Sequence, residues 1–150
     1  MNPMKEDGAK FLFVLCILAL AARLVPAALY IDVPNLPHDM QYYLEHAKFF
    51  GEGKPYDRVQ SNGLGVVYGP LSLASYWAWV SVFGTNYFTL KLMPIIFDVL
   101  TIILVYLIAL KAAGLQAAKY ASFLYAFSYL ALLSAGALGN DDHMFLFFLM

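Results

Sequence analysis

The stretch Phe11-Leu-Phe-Val-Leu-Cys-Ile-Leu-Ala-Leu-Ala-Ala-Arg-Leu-Val-Pro-Ala-Ala-Leu-Tyr-Ile31 decides the class of this protein. It has 21 residues and one charge, Arg23, and a helix needs about 20 apolar residues to cross a bilayer. The apolar core of a cleaved signal peptide is shorter, although Val25-Pro26-Ala27 keeps a cleavable signal as an alternative. We therefore predict a first transmembrane span over 11–31, preceded by a cytoplasmic tail over 1–10.

The composition agrees with a membrane protein. Of the 150 residues, 62% are hydrophobic and 13% are charged, which is more apolar side chain than one soluble core buries. The net charge of -1 provides no basic surface for a nucleic-acid backbone, so we expect no nucleic-acid partner. The single cysteine, Cys16, excludes an internal disulfide and is expected to pack as a small apolar residue.

Outward from the first span, apolar runs and breakers predict an all-α integral membrane protein with several passes. The predicted segments are an outer loop over 32–87 with interfacial helices over 39–50 and 70–84, a second span over 88–110, a cytoplasmic loop over 111–119, a third span over 120–138, an outer acidic loop over 139–143, and the start of a fourth span over 144–150. Because the last run is too short to cross a bilayer, we expect the N-terminal part of a longer protein, with a short surface helix as the alternative.

Two short helices are predicted inside the outer loop. In the first, apolar side chains recur at the spacing of an amphipathic helix lying on a membrane: Met40, Tyr43, Leu44 and Ala47. The second, over 70–84, is apolar and aromatic, but its roughly 14 residues are fewer than a bilayer requires.

The positive-inside rule sets the predicted sidedness. Lysines in the N-terminal tail and in the loop over 111–119 place both segments in the cytoplasm. These two placements agree only if 70–84 does not cross the membrane. We therefore predict that the loop after the first span and the acidic loop over 139–143 lie on the same outer face.

Several short motifs follow one another along the chain. They are Asp39-x-x-Tyr-Tyr-x-x-x-Ala, Lys54-Pro-Tyr, Tyr68-x-Pro-Leu before an aromatic helix that ends in Phe83-Gly, and the acidic pair Asp141-Asp142. In their order and spacing they resemble the N-terminal module of the GT-C membrane glycosyltransferases, which include the protein mannosyltransferases and the aminoarabinose transferases of lipid A. The likeness covers essentially the whole chain.

The resemblance implies a GT-C-like transmembrane helix bundle with amphipathic juxtamembrane helices in the first outer loop. It places the catalytic carboxylate of that loop on Asp39 and the second acidic site on Asp141 and Asp142. A carboxylate at a membrane surface is partly desolvated, which suits a general base. The alternatives are an N-cap for Asp39 and a favourable charge at a helix N-terminus for the acidic pair.

Substrate-binding residues are predicted around these acids. Lys91 and Arg58 are candidates for the phosphate of a lipid-linked donor, with snorkelling and a solvated loop charge as the alternatives. Further candidates for contacts to the sugar, or for lining the headgroup zone, are Tyr42, Tyr43, Tyr68 and His143.

A metal requirement is left open by the sequence. A divalent cation, Mg²⁺ or Mn²⁺, would be held by Asp39, Asp141 and Asp142, but adjacent carboxylates diverge unless the backbone turns sharply. His38 and His46 flank the first loop helix without a third ligand at metal-site spacing, so we predict a polar surface role for them.

Arg23 and Asp98 are charges inside predicted spans. At 1.5 Å per residue, Arg23 lies about 12 Å below Ile31 and Asp98 about 15 Å below Phe88. Because pairing lowers the free energy needed to bury either charge, we predict a structural ion pair.

The resulting hypothesis is a multi-pass integral membrane glycosyltransferase of a prokaryotic plasma membrane or the endoplasmic reticulum, with a cytoplasmic N-terminus. It would move a sugar from a polyprenyl or dolichyl phosphate to an extracytoplasmic lipid, glycan or protein. Its other expected partners are membrane lipids and the C-terminal remainder of the same enzyme, without which we expect this chain to be inactive. The competing hypothesis is a small non-catalytic membrane protein, such as a flippase partner for lipid-linked sugars or an assembly factor.

Overall fold

The computed structural model describes residues 3–29, 40–54, 56, 69–139 and 142–150. Within these residues the chain is helical and contains no strand, which confirms the prediction of an all-α fold. The helices are α1 (Pro3–Leu29), α2 (Met40–Gly51), α3 (Pro70–Phe83), α4 (Tyr87–Ala126), α5 (Tyr129–Ala131), a π-helical segment (Leu132–Leu138) and α6 (Asp142–Leu149). Contacts divide the chain into unit 1, formed by Met1–Tyr30 with Lys91–Met150, and unit 2, formed by Ile31–Leu90.

Two helices in the described part of the chain are long and apolar enough to cross a membrane. They are Glu6–Leu29 within α1 and Tyr87–Ala126, which is α4. Their length and composition indicate membrane association. Since α1 already begins at Pro3, most of the predicted tail over 1–10 is part of the first long helix.

The chain reverses direction at Gly114, inside α4. Its φ of 83° and ψ of -177° are reached by glycine without steric strain. The Tyr125 hydroxyl lies 2.7 Å from the Asp98 carboxylate, although 27 residues separate them, and a straight helix of that length would hold them about 40 Å apart. Gly114 therefore joins two antiparallel arms, and the predicted loop over 111–119 is helical apart from this residue.

The predicted third span over 120–138 is built from several pieces. The second arm of α4 ends at Ala126, and Ser128 then caps α5 by accepting a hydrogen bond from the Ala131 N–H at 3.3 Å. The π-helical segment that follows packs against α1. A methyl group on Gly136 would lie 3.0 Å from Pro26 Cγ, so glycine allows the close approach of the two helices.

The contacts of α1 define the two ends of unit 1. Near the N-terminus of α1, a methyl group on Gly8 would meet the side chain of Leu115, the residue after the reversal at Gly114. Near its C-terminus, Pro26 lies against Gly136. The N-terminal helix end and the reversal therefore lie at one end of unit 1, and the segment that leads into the predicted acidic loop lies toward the other.

Between these ends, unit 1 has a small apolar core. Leu15 and Ala19 of α1 pack there with Ile102 and Ala126 from the two arms of α4, and all four side chains are buried. Cys16 is partly buried at the edge of this core, which confirms its predicted packing role.

In unit 2, α2 and α3 pack against each other within one residue of the predicted bounds. The buried side chains of α2 are Met40, Tyr43, His46 and Ala47. The predicted apolar stripe is therefore confirmed at three of its members, whereas Leu44 is half-buried. The surface role predicted for His46 is wrong, because a residue three positions after Tyr43 shares its helix face. The same prediction for His38 falls outside the described residues.

The start of α4 depends on Asn86. Its Oδ1 accepts a hydrogen bond from the Thr89 N–H at 2.8 Å, which satisfies one of the N–H groups that a helix start leaves without a partner. We expect Asn86→Ala to lower the free energy of unfolding by about 1 kcal/mol, measured by denaturant titration in detergent micelles. Asn86→Ser keeps a hydrogen-bond acceptor, so its free energy of unfolding should fall by less than that of Asn86→Ala. An equal decrease in the two variants would contradict the capping role of Asn86.

Candidate functional site

Some predicted site residues lie outside the described part of the chain: Asp39, Arg58, Tyr68 and Asp141. Two of them are adjacent in sequence to helix starts, since Asp39 precedes Met40 of α2 and Asp141 precedes Asp142 of α6. The predicted grouping of Asp39 with the acidic pair stays a prediction.

Asp142 is the acidic site residue that the structure describes. Its side chain is exposed and lies in the first turn of α6. A carboxylate is stabilised at this position by the N–H groups and the dipole of the helix N-terminus. His143 is the next residue of α6; its backbone is among the described parts of the structure, and its side chain is not. Asp142 is therefore accessible to a ligand, although its favourable helix position is a sufficient structural reason for its presence.

The two adjacent tyrosines of α2 have different environments. Tyr43 is 1% exposed and stacks on Tyr76 of α3 with ring centroids 4.5 Å apart. Its ring therefore holds α2 and α3 together, and a role in binding substrate stays a prediction. Tyr42 is half-buried and leaves part of its ring accessible.

Lys91 is 1% exposed, in the first turns of α4. The sequence predicts a lysine that reaches outward from the end of a span, whereas the structure buries it, as it buries Ile95 one helical turn further on. An ammonium removed from water requires hydrogen-bond acceptors or an opposite charge. A contact with a lipid phosphate stays a prediction for this residue.

The predicted ion pair of Arg23 and Asp98 is confirmed. The Arg23 Nε–H donates to the Asp98 carboxylate, and both side chains are fully buried. The guanidinium also donates to the carbonyl oxygens of Ala19 at 2.9 Å and Ala126 at 3.0 Å. The Tyr125 hydroxyl donates to the second carboxylate oxygen at 2.7 Å. This network ties α1 to both arms of α4 and has a structural role.

Tyr125 and Gly136 are the members of this region that sequence reasoning did not find. The available signal for Tyr125 was a hydroxyl within an apolar run, because a buried phenol usually has a hydrogen-bond partner. Nothing in that run identifies Asp98 as the partner, since the position of the chain reversal decides it. The signal for Gly136 was its place in the small-residue run Ser134-Ala-Gly-Ala, which is typical of close helix packing in membranes.

A metal centre is not formed by the described side chains. Among them, no group of three or more His, Cys, Asp or Glu residues lies close enough to hold an ion. Two of the three predicted ligands, Asp39 and Asp141, are not among those residues. The Mg²⁺ or Mn²⁺ site therefore stays an untested alternative.

Comparisons of the chain with protein-family models, curated proteins and solved structures give no significant match. The resemblance to the GT-C enzymes inferred from the order of sequence motifs therefore stays a prediction. Among the predicted catalytic acids, Asp142 lies in the described part of the chain, and its side chain is exposed to solvent. The buried pair of Arg23 and Asp98 stabilises the fold.

Proposed function

We propose that this chain is the N-terminal module of a GT-C-type membrane glycosyltransferase that uses a polyprenyl or dolichyl phosphate sugar. The observation that carries the proposal is the order of its helices. Between the long apolar helices α1 and α4 lie α2 and α3, with 12 and 14 residues, and both are shorter than the roughly 20 residues of a bilayer span. This order matches a first span, two juxtamembrane helices and a second span.

The proposed reaction needs a base and a leaving group on the same side of the membrane. A hydroxyl of the acceptor attacks the anomeric carbon of the donor, and a new carbon–oxygen bond forms there. The bond between the anomeric carbon and the phosphate oxygen breaks, and its electron pair leaves with the lipid phosphate. Asp39 takes the proton of the acceptor hydroxyl, so that no charged oxonium accumulates.

The remaining predicted residues have supporting roles in this proposal. Asp141 and Asp142 accept hydrogen bonds from sugar or acceptor hydroxyls beside His143. Arg58 offsets the charge of the leaving phosphate, as cations do at phosphoryl groups. Lys91 is buried in the structure, so its part in this proposal requires that the bound donor phosphate replace the groups that now cover its ammonium. Tyr42 and Tyr68 contact the apolar face of the sugar.

The two ends of unit 1 support the proposed sidedness. The N-terminal end of α1 and the reversal at Gly114 lie together, and lysines accompany both, including Lys10, Lys111 and Lys119. Lys119 itself lies 5.5 Å from the centre of the Phe11 ring. A lysine-rich end is typical of the cytoplasmic side, so we propose that the end leading to Asp142 is extracytoplasmic.

Asp39→Asn tests the catalytic assignment. In membranes that contain the complete gene product, we expect sugar transfer to fall at least about a hundredfold, the usual effect of removing a general base. The assay follows release of free polyprenyl phosphate from a panel of polyprenyl phosphates that carry mannose, glucose or aminoarabinose. Asp32→Asn removes a carboxylate from the same predicted loop and serves as the matched control, with transfer expected to be unchanged.

Two results would contradict this proposal. Undiminished transfer by Asp39→Asn at equal protein abundance would reject the role of the carboxylate as base. If the wild-type protein released polyprenyl phosphate from none of the donors in the panel, the result would favour the non-catalytic alternative, a flippase partner or assembly factor.

A further inference from the structure

A groove of about 510 Å³ lies between α2 and α3, within unit 2. Its walls are mainly apolar, and two opposite charges lie beside them. The residues that matter here are Leu44, Ala47, Trp77, Val80, Glu45 and Lys48. An open apolar groove with a charged rim is suited to an amphipathic molecule rather than to a fully polar one.

Trp77 is held in the wall of this groove by close packing. A methyl group on Gly51 would lie 2.8 Å from the Trp77 Nε1, so the absence of a side chain at Gly51 lets the indole lie against the end of α2. The Phe50 ring also packs against Trp77, and the centroids of these two rings lie 5.8 Å apart. Trp77 nevertheless remains 44% exposed, which leaves surface for a ligand.

The rim of the groove carries one acidic and one basic side chain, Glu45 and Lys48, as recognition of a zwitterion requires. Glu45 and Lys48 are three residues apart on α2, which corresponds to a rise of about 4.5 Å. The Glu45 carboxylate accepts a hydrogen bond from Gln41 at 3.2 Å, which orients it on the helix surface. Lys48 is exposed, so its ammonium is accessible. A carboxylate beside an indole attracts an ammonium group, and a lysine attracts a phosphate.

We propose that this groove binds one zwitterionic phospholipid of the ethanolamine class. The ammonium of the headgroup lies between Glu45 and Trp77, and the phosphate lies at Lys48. One acyl chain fills the apolar groove along Leu44 and Val80, where burial of its methylene groups stabilises the complex. This lipid site is separate from the proposed sugar transfer, because it uses residues of α2 and α3 that have no part in that reaction.

Lipid retention by the full chain tests the site. The protein is purified in mild detergent, incubated with equimolar dioleoyl phosphatidylethanolamine and dioleoyl phosphatidylglycerol, and measured by native mass spectrometry. We expect one ethanolamine lipid to be retained per chain, with a preference over the glycerol lipid of about threefold, the effect of a single partly exposed charge contact. Glu45→Gln should abolish this preference, and Lys48→Gln should lower retention of both lipids.

Matched variants distinguish the site from general lipid adhesion. Glu52→Gln and Lys54→Gln make the same charge changes just beyond α2, at exposed positions that do not line the groove, and should leave the preference intact. Trp77→Leu should reduce retention of the ethanolamine lipid, with circular dichroism confirming that α2 and α3 remain helical. Equal retention of the two lipids by the wild-type chain, or an undiminished preference in Glu45→Gln, would overturn the proposal. Neither result would bear on the Asp39 assay.

Discussion

Arg23→Met is expected to lower the free energy of unfolding by about 3–5 kcal/mol, the usual loss when one member of a buried ion pair is removed. Arg23 and Asp98 are both fully buried, and the guanidinium also bonds the carbonyl groups of Ala19 and Ala126. Methionine retains an unbranched apolar stem but leaves the Asp98 carboxylate in the interior without its guanidinium. The measurement is unfolding in mixed micelles on titration with SDS, followed by circular dichroism.

A graded series separates the ion pair from general packing. Asp98→Asn should destabilise the protein in the same direction, without a specific loss of sugar transfer per folded molecule. Tyr125→Phe removes one hydrogen bond to a charged group and should cost about 1.5 kcal/mol. The double variant Arg23→Met/Asp98→Leu should recover much of the loss, because apolar replacement of a whole buried pair is often neutral. Wild-type stability in Arg23→Met would contradict the structural role of the pair.

Gly136→Leu is expected to lower the free energy of unfolding by about 3 kcal/mol, at the upper end of the usual effect of overpacking. A methyl group at this position would already lie 3.0 Å from Pro26 Cγ, 3.1 Å from the Arg23 carbonyl oxygen and 3.3 Å from Arg23 Cα. Two of these neighbours are backbone atoms of α1 and cannot move aside as a flexible side chain can. The π-helical segment must therefore separate from α1.

Ala113→Leu provides the control, because it adds leucine bulk at an exposed position of the same unit. Its effect should stay within about 0.5 kcal/mol, as for most surface substitutions. Both variants are compared by the same SDS titration. Equal stability of Gly136→Leu and Ala113→Leu would show that the close approach of Gly136 to α1 does not matter. Because Gly136 is six residues before Asp142, its replacement should also disturb the acidic segment.

The parts of the fold that depend on apolar length were predicted from the sequence. The length of the first apolar run determined α1, and the breakers around 70–84 determined the short helix α3. The pairing of Arg23 with Asp98 was predictable because both charges lie at similar depths and burial of a lone charge is unfavourable.

The chain reversal was placed correctly but described wrongly as a loop. The run Lys111-Ala-Ala-Gly-Leu-Gln-Ala-Ala-Lys119 is polar enough to resemble a loop, yet its alanines and lysines favour helix. Glycine at 114 reverses the backbone in a single residue, so both arms continue almost to it. Composition alone does not distinguish these two solutions.

Burial of individual polar side chains was the least predictable feature. His46 and Lys91 were expected at the surface, and both are buried. Each lies on a helix face whose neighbours are apolar, but the width of the packed face is decided by the opposing helix. The acids of the candidate site are predicted from their residue type and their order along the chain. They can act together only if they lie on the same side of the membrane.

Side-specific cysteine labelling tests that arrangement most directly. Single cysteines replace Asp39, Gln116 and Asp142 in a Cys16→Ala background, and each is exposed to a membrane-impermeant maleimide before and after permeabilisation. We expect the cysteines at 39 and 142 to be labelled from the extracytoplasmic side, and the cysteine at 116, beside the reversal at Gly114, only after permeabilisation. Labelling of positions 116 and 39 from the same side would contradict the proposed site, because Asp39 and Asp142 would then face opposite compartments.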